Sequence, residues 1–140
     1  MKIIKYPHFI LRQICDPVDE DDFDKDLKKQ IKHMYKLMNK HNGLGLSAPQ
    51  VGISKRFFIV EDQVYINPKI IEKHGIHGHS REGCLSLPGV FKYINRPREI
   101  LIEFQTIDGH MRRERHIGSL SVILKHEYDH LQGKLIVDYL

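Results

Sequence analysis

The chain has 140 residues, 41% hydrophobic and 29% charged, which suits one soluble globular domain over residues 1–140 and leaves little length for a second. No run approaches the roughly 18 apolar residues that span a bilayer, and residues 1–7 lack the apolar core of a secretory signal, so membrane insertion and export are not expected and a cytoplasmic setting is. The net charge of +4 and pI of about 9.0 favour loose contact with polyanions, but the basic residues are dispersed and no sequence-specific nucleic-acid motif accompanies them.

Taken in order, residues 2–15 read as an extended arm and turn, with Pro7 breaking any early helix. Cys15 has no histidine or second cysteine nearby and reads as a small buried side chain. Phe23, Leu27, Ile31, Met34, Tyr35 and Met38 recur at steps of three and four behind the acidic run 19–22, which predicts an amphipathic helix over about residues 24–41. Gly43-Leu44-Gly45-Leu46-Ser47-Ala48-Pro49-Gln50 follows and reads as a loop. Its small residues permit close backbone approach, Gly45 could present its N–H unobstructed, and Gln50 carries an amide that can donate.

Residues 56–60, 64–66 and 69–73 are β-like runs, the last two divided by Asn67-Pro68. His74, His77 and His79 sit in a Gly-broken stretch and read as surface histidines of a loop. Asp108-Gly109 predicts a hairpin between residues 100–104 and 109–117, where Arg112-Arg113-Glu114-Arg115 reads as a solvated strand face. Ser119 is the expected N-cap of a second helix, closed by Gly133, and a short apolar tail covers residues 135–140.

The second helix carries His126-Glu127-Tyr128-Asp129-His130. Histidines four apart lie one turn above one another on the same face, so both imidazoles reach one cation with the glutamate beside it, the H-E-x-x-H arrangement of metal-dependent hydrolases. Too few residues follow His130 to supply the usual downstream third ligand. Cys84, between a glycine and Leu85, is the best candidate, giving a His₂Cys site with an open fourth position.

Three stretches in series resemble the peptide deformylase family: residues 43–50 its G-φ-G-φ-A-A-P-Q loop, with Ser47 in place of the usual first alanine; residues 82–86 its E-G-C-L-S strand; and residues 126–130 its metal helix. The resemblance implies an α+β fold, with small mixed or antiparallel sheets packed around the metal-binding helix and one further N-terminal amphipathic helix. It implies hydrolysis of the formyl group on the initiator methionine of N-formylmethionyl peptides. The implied cofactor is one divalent ion held by Cys84, His126 and His130, iron(II) in the cell, with zinc, nickel or cobalt as other occupants. Glu127 is then the proton carrier, and Gln50 with the backbone N–H of Leu85 donates to the oxyanion. Gly45 binds the peptide backbone, and Glu82 with Arg96 braces the cysteine strand.

A preference for methionine needs an apolar wall, for which Leu44, Val122 and Ile123 are the candidates. The resemblance further implies a monomer in the cytoplasm, a host cytoplasm or an organelle, in transient contact with the ribosome, although the C-terminal helix linked to ribosome binding in many bacterial members has no counterpart before Leu140. Two other classes share part of the pattern. A zincin-type metallopeptidase calls for a third histidine or glutamate downstream, and a structural metal-binding domain calls for a closed fourth ligand and has no use for Glu127.

Overall fold

The computed structural model describes residues 1–139 apart from the His79 side chain; Leu140 and that side chain, which belong to the apolar tail and the histidine stretch, lie outside the described residues. Helix α1 (Lys25–Lys40) matches the predicted helix within a residue at each end. Leu27, Ile31, Met34 and Met38 are its buried stripe, and the Asp24 carboxylate caps it by accepting the Leu27 N–H at 3.0 Å.

Seven strands follow: β1 (Gly45–Ser47), β2 (Phe57–Val60), β3 (Gln63–His74), β4 (His79–Cys84), β5 (Leu87–Asn95), β6 (Glu99–Gln105) and β7 (Met111–Ile117). One sheet has the order β1-β2-β3-β6-β7, and β4 pairs with β5 in a separate hairpin. All of these ladders are antiparallel, which settles the choice between mixed and antiparallel sheets.

Both faces of the larger sheet are covered, and β2 shows how. Phe57 and Ile59 pack with the buried stripe of α1, whereas Phe58 and Val60 pack with Leu124 and Leu131 of helix α2 (Ser119–Leu131). A strand buried on both sides has no need of polar alternation, hence the unbroken run Phe57-Phe58-Ile59-Val60. A third cluster, Leu11, Leu87, Ile94, Leu135 and Ile136, joins the N-terminal arm, the β4–β5 hairpin and the C-terminal tail. The hairpin that carries Cys84 is thus held by both ends of the chain.

Local structure departs from the sequence reading at four points. Residues 43–50 are not a loop throughout: β1 is followed by a 3₁₀ turn, Ala48–Val51, whose side-chain pairing between Ser47 and Gln50 closes it. Asn67-Pro68 does not divide β3, because Asn67 takes a left-handed φ of 50° and the register shifts there against β6. The Asn67 side chain meanwhile bonds the Val18 backbone at both N–H and C=O, each at 2.8 Å. Ser119 is the first helical residue of α2 rather than its cap, since Gly118, with φ 67°, makes the turn out of β7.

The fourth is the histidine stretch, which is not a loop throughout, because His74 ends β3 and His79 begins β4, leaving only residues 75–78 between the strands. Two further local expectations hold. Cys15 is buried and its thiol is pushed up to about 11, chiefly by desolvation. The β7 arginines face solvent, and two of them pair across to β6, Arg113 with Glu103 at 2.7 Å and Arg115 with Glu99 at 2.9 Å.

Candidate metal centre and active site

Helix α2 presents His126 and His130 one turn apart, and the end of β4 brings Cys84 to them. A register shift between Glu82 and Cys84 turns the end of that strand. One ligand atom from each of Cys84, His126 and His130 lies within 4.8 Å of the others, with Cys84 Sγ 3.4 Å from His130 Nε2. Among the described residues no fourth histidine, cysteine or carboxylate joins the group. One sulfur and two imidazole nitrogens, converging with a position left open, suit a catalytic divalent cation.

The tautomer of His126 is set from behind. Its Nδ1 lies 2.9 Å from Glu82 Oε1, and a carboxylate accepts, so Nδ1 carries the proton and Nε2 keeps its lone pair for the cation. Burial alone would raise the Glu82 pKa, but hydrogen bonds from Arg96 and His126 outweigh it and hold Glu82 below the ordinary carboxylate range.

Glu127 is buried beside the ligands, and its Oε1 has no hydrogen-bond partner among the described residues. Desolvation pushes its carboxyl up to about 7, against the opposing pull of His126 and Arg96. A carboxyl poised there both takes and returns a proton at neutral pH. Gly45 leaves it room: a Cβ on that residue would stand 2.7 Å from Glu127 Oε2 and 2.9 Å from Cγ. The value of Gly45 is therefore steric as well as a matter of its exposed backbone.

Gln50 is held in one orientation. Its Oε1 accepts from the Ser47 N–H at 3.0 Å and from the Ser47 hydroxyl at 2.9 Å, which turns Nε2 toward Ser86 Oγ at 3.2 Å and Cys84 Sγ at 3.5 Å. Ser47→Ala removes one of the two donors that hold this amide. The expected result is a fall in kcat of about fivefold, the worth of one buried hydrogen bond, at unchanged KM and with the thermal midpoint lowered by only about 3 °C. An unchanged kcat would mean that the backbone N–H suffices.

Behind the ligands lies a charged cluster. Arg96 donates Nε to Glu82 Oε2 at 2.8 Å and Nη2 to Glu82 Oε1 at 2.7 Å, while its Nη1 reaches Asp129 Oδ2 at 2.7 Å and the Tyr139 hydroxyl oxygen at 3.0 Å. Lys125 and Tyr139 also donate to Asp129. The sequence reading found the Glu82–Arg96 pair and missed Asp129 and Tyr139. Asp129 lies inside the metal motif, three residues after His126, and so was open to inference from helical spacing. For Tyr139, in a tail read only as apolar, no local signal exists.

A cavity of about 680 Å³ opens in front of the cluster, within the range of small-ligand sites. Every predicted site residue except His130 and Arg96 lines it; those two sit behind, in the protein. Leu44 is largely exposed at its edge, Val122 is buried and Ile123 half-buried, and Phe91 is a further wall residue that sequence reasoning did not single out. Strand β1, which among the described residues pairs only with β2, carries Gly45 on its outer edge at this cavity.

Three converging metal donors, a buried carboxyl and a pinned amide at an open cavity define a metal-dependent hydrolase. Comparison with known proteins narrows the class. The family model for polypeptide deformylase matches residues 1–140, so the chain belongs to the peptide deformylase family, metal-dependent hydrolases that remove N-formyl groups. It is 40% identical over 147 residues to the peptide deformylase of Karelsulcia muelleri, covering 99% of this chain and 77% of that one. The crystal structure of the Thermotoga maritima enzyme superposes with a TM-score of 0.94 at 38% identity, covering 99% and 96% of the two chains. An Acinetobacter baumannii peptide deformylase with Met-Ala-Ser bound superposes with a TM-score of 0.96 at 31% identity, covering 100% and 98%.

Proposed function

We propose that deformylation by this chain is carried out by Cys84, His126 and His130 as metal ligands, Glu127 as proton carrier, and Gln50 with the Leu85 N–H as oxyanion donors. The observation that carries this assignment is the convergence of the three ligand atoms within 4.8 Å beside the unpartnered Oε1 of Glu127. When bound, a divalent ion supplies Lewis acidity, activating water near neutral pH and polarising the formyl carbonyl.

The residues do the rest. Glu127 takes the proton of the attacking water as the water oxygen bonds the formyl carbon, and it returns that proton to the peptide nitrogen as the C–N bond breaks, leaving formate and a free amino terminus. Gln50 Nε2, already oriented by Ser47, and the Leu85 N–H donate to the negative charge that gathers on the carbonyl oxygen. The β1 edge at Gly45 accepts the peptide as an added strand, and Leu44, Val122 and Ile123 wall the methionine side chain. That a related enzyme binds Met-Ala-Ser supports a tripeptide-sized occupant here.

Iron(II) is the proposed resident ion, with zinc, nickel and cobalt as substitutes that the same donors accept. The setting follows from the substrate: formylated nascent chains occur where translation does, so the enzyme works as a cytoplasmic or organellar monomer, in transient contact with ribosomes favoured by its net charge of +4.

Metal analysis of anaerobically purified protein tests the ligand set. One iron per chain is expected for the wild type and none for Cys84→Ala. Full metal occupancy in Cys84→Ala would remove the thiolate from the ligand set, and zinc alone in the wild type would remove iron from the proposal.

A further inference from the structure

The cluster behind the ligands ends on Tyr139, a residue that takes no part in the reaction above. Its hydroxyl, on a half-buried ring, does two things at once. It donates to Asp129 Oδ2 at 2.6 Å and accepts from Arg96 Nη1 at 3.0 Å, and the ring lies under the same guanidinium, with Arg96 Cζ 4.8 Å from its centroid. Arg96 is 2% exposed, and its remaining bonds run to Asp129 and, through two parallel N–H···O contacts, to Glu82. Glu82 Oε1 in turn holds Nδ1 of His126. From the phenol to the ligand imidazole the path therefore consists of Arg96 and Glu82, joined by hydrogen bonds of 3.0 Å or less.

The tail that delivers Tyr139 is itself fastened. Asp138 pairs with Arg12 at 2.5 Å and accepts the Leu135 N–H at 2.8 Å, Leu135 and Ile136 are buried against the hairpin that carries Cys84, and Lys134 Nζ stands 4.1 Å from the Tyr139 ring centroid. The hydroxyl is thus brought to Arg96 by a segment anchored independently of it.

We propose that Tyr139 is a positioning residue for the metal centre, its hydroxyl fixing the Arg96 guanidinium so that Glu82 holds the His126 imidazole in its ligating orientation. The guanidinium has two carboxylates to choose between. Without the phenol, one Nη1 proton and one Asp129 lone pair lose their partner in a buried site. Arg96 then recovers the lost bond by moving toward Asp129, at the expense of its paired contact with Glu82, and the ring behind the metal loosens. Partners behind a ligating histidine commonly control metal affinity by 10–100-fold. Acting through two intervening groups, the phenol belongs at the lower end.

The proposal rests on His126 being a ligand, and the test keeps the two apart. Cobalt(II) is loaded into wild type, Tyr139→Phe, Lys134→Gln and His126→Ala. The thiolate-to-cobalt absorption, the rate of cobalt loss to a chelator, kcat, KM and the thermal midpoint are measured for each. Tyr139→Phe keeps the ring and is expected to release cobalt about tenfold faster, with a shifted cobalt spectrum and a lower kcat at unchanged KM. Lys134→Gln, which touches the ring without the hydroxyl, is expected to behave as wild type.

A wild-type spectrum and release rate for Tyr139→Phe, while His126→Ala binds no cobalt, would overturn the role of Tyr139 and leave the ligand assignment standing. Full cobalt binding by His126→Ala would overturn both. Should Tyr139→Phe not fold, the zinc-loaded wild type decides by NMR. Slowly exchanging protons on the Tyr139 oxygen and on His126 Nδ1 are expected, and their absence would overturn the proposal.

Discussion

Glu127→Gln is expected to bind its metal as the wild type does and to release formate from formyl-Met-Ala about 10³-fold more slowly, the worth of a positioned proton carrier. The amide fills the same space, so the cavity and the Gly45 approach are unchanged. What is lost is the ability to take a proton. The Glu127 carboxyl, pushed up to about 7 by burial, is unusual for a glutamate, and no hydrogen bond among the described residues occupies its Oε1. Equal metal content and thermal midpoint in the two proteins are part of the expected result, since they locate the loss in the chemical step. A variant within tenfold of wild type would assign the proton transfer to another group.

Arg96→Ala has the largest expected effect on stability. It leaves Glu82 and Asp129, both buried, without the cation they share, and breaking such a pair costs about 3–5 kcal/mol. For a chain of this size the thermal midpoint should fall by about 10 °C. The pH dependence should also change sign. In the wild type both carboxyls are held below their ordinary values, so their contribution is present above about pH 4 and is lost as pH falls through the native pKa values. Without the guanidinium, desolvation raises them above their unfolded values, so stability is lost as pH rises through them. Denaturant melts at pH 7 and pH 5 should therefore show the deficit narrowing at the lower pH. An equal deficit at the two pH values would mean that Lys125 and His126 still hold both groups ionised.

Much of this site is legible because its determinants are local. Histidines at i and i+4 share a helix face, the small residues around Gly45 mark a close approach, and Cys84 stands out because two histidines and a glutamate already call for a third ligand. The fold was legible where periodicity governs, as along the buried stripe of α1 and in the hairpin at Asp108-Gly109.

What escaped is long-range. Asn67-Pro68 read as a break because the bonds that carry the chain through it go to Val18 and Gln105, 49 and 38 residues away in sequence. Ser119 read as a cap because serine usually is one, whereas the turn before it uses the positive φ of Gly118. Tyr139 is invisible as part of the site for the same reason: only the folded chain brings the tail to Arg96. Gly45 was read for its backbone, and only the structure shows that the absent side chain also makes room for Glu127.

The central claim is that one metal, Cys84, His126, His130 and Glu127 together remove a formyl group. Its most direct test is the quantity of formate and of free methionyl amine released from formyl-Met-Ala by anaerobically purified wild-type protein with one iron per chain. Equal amounts of both products, formed over many turnovers, are predicted. A folded sample with a full complement of metal that released neither would contradict it.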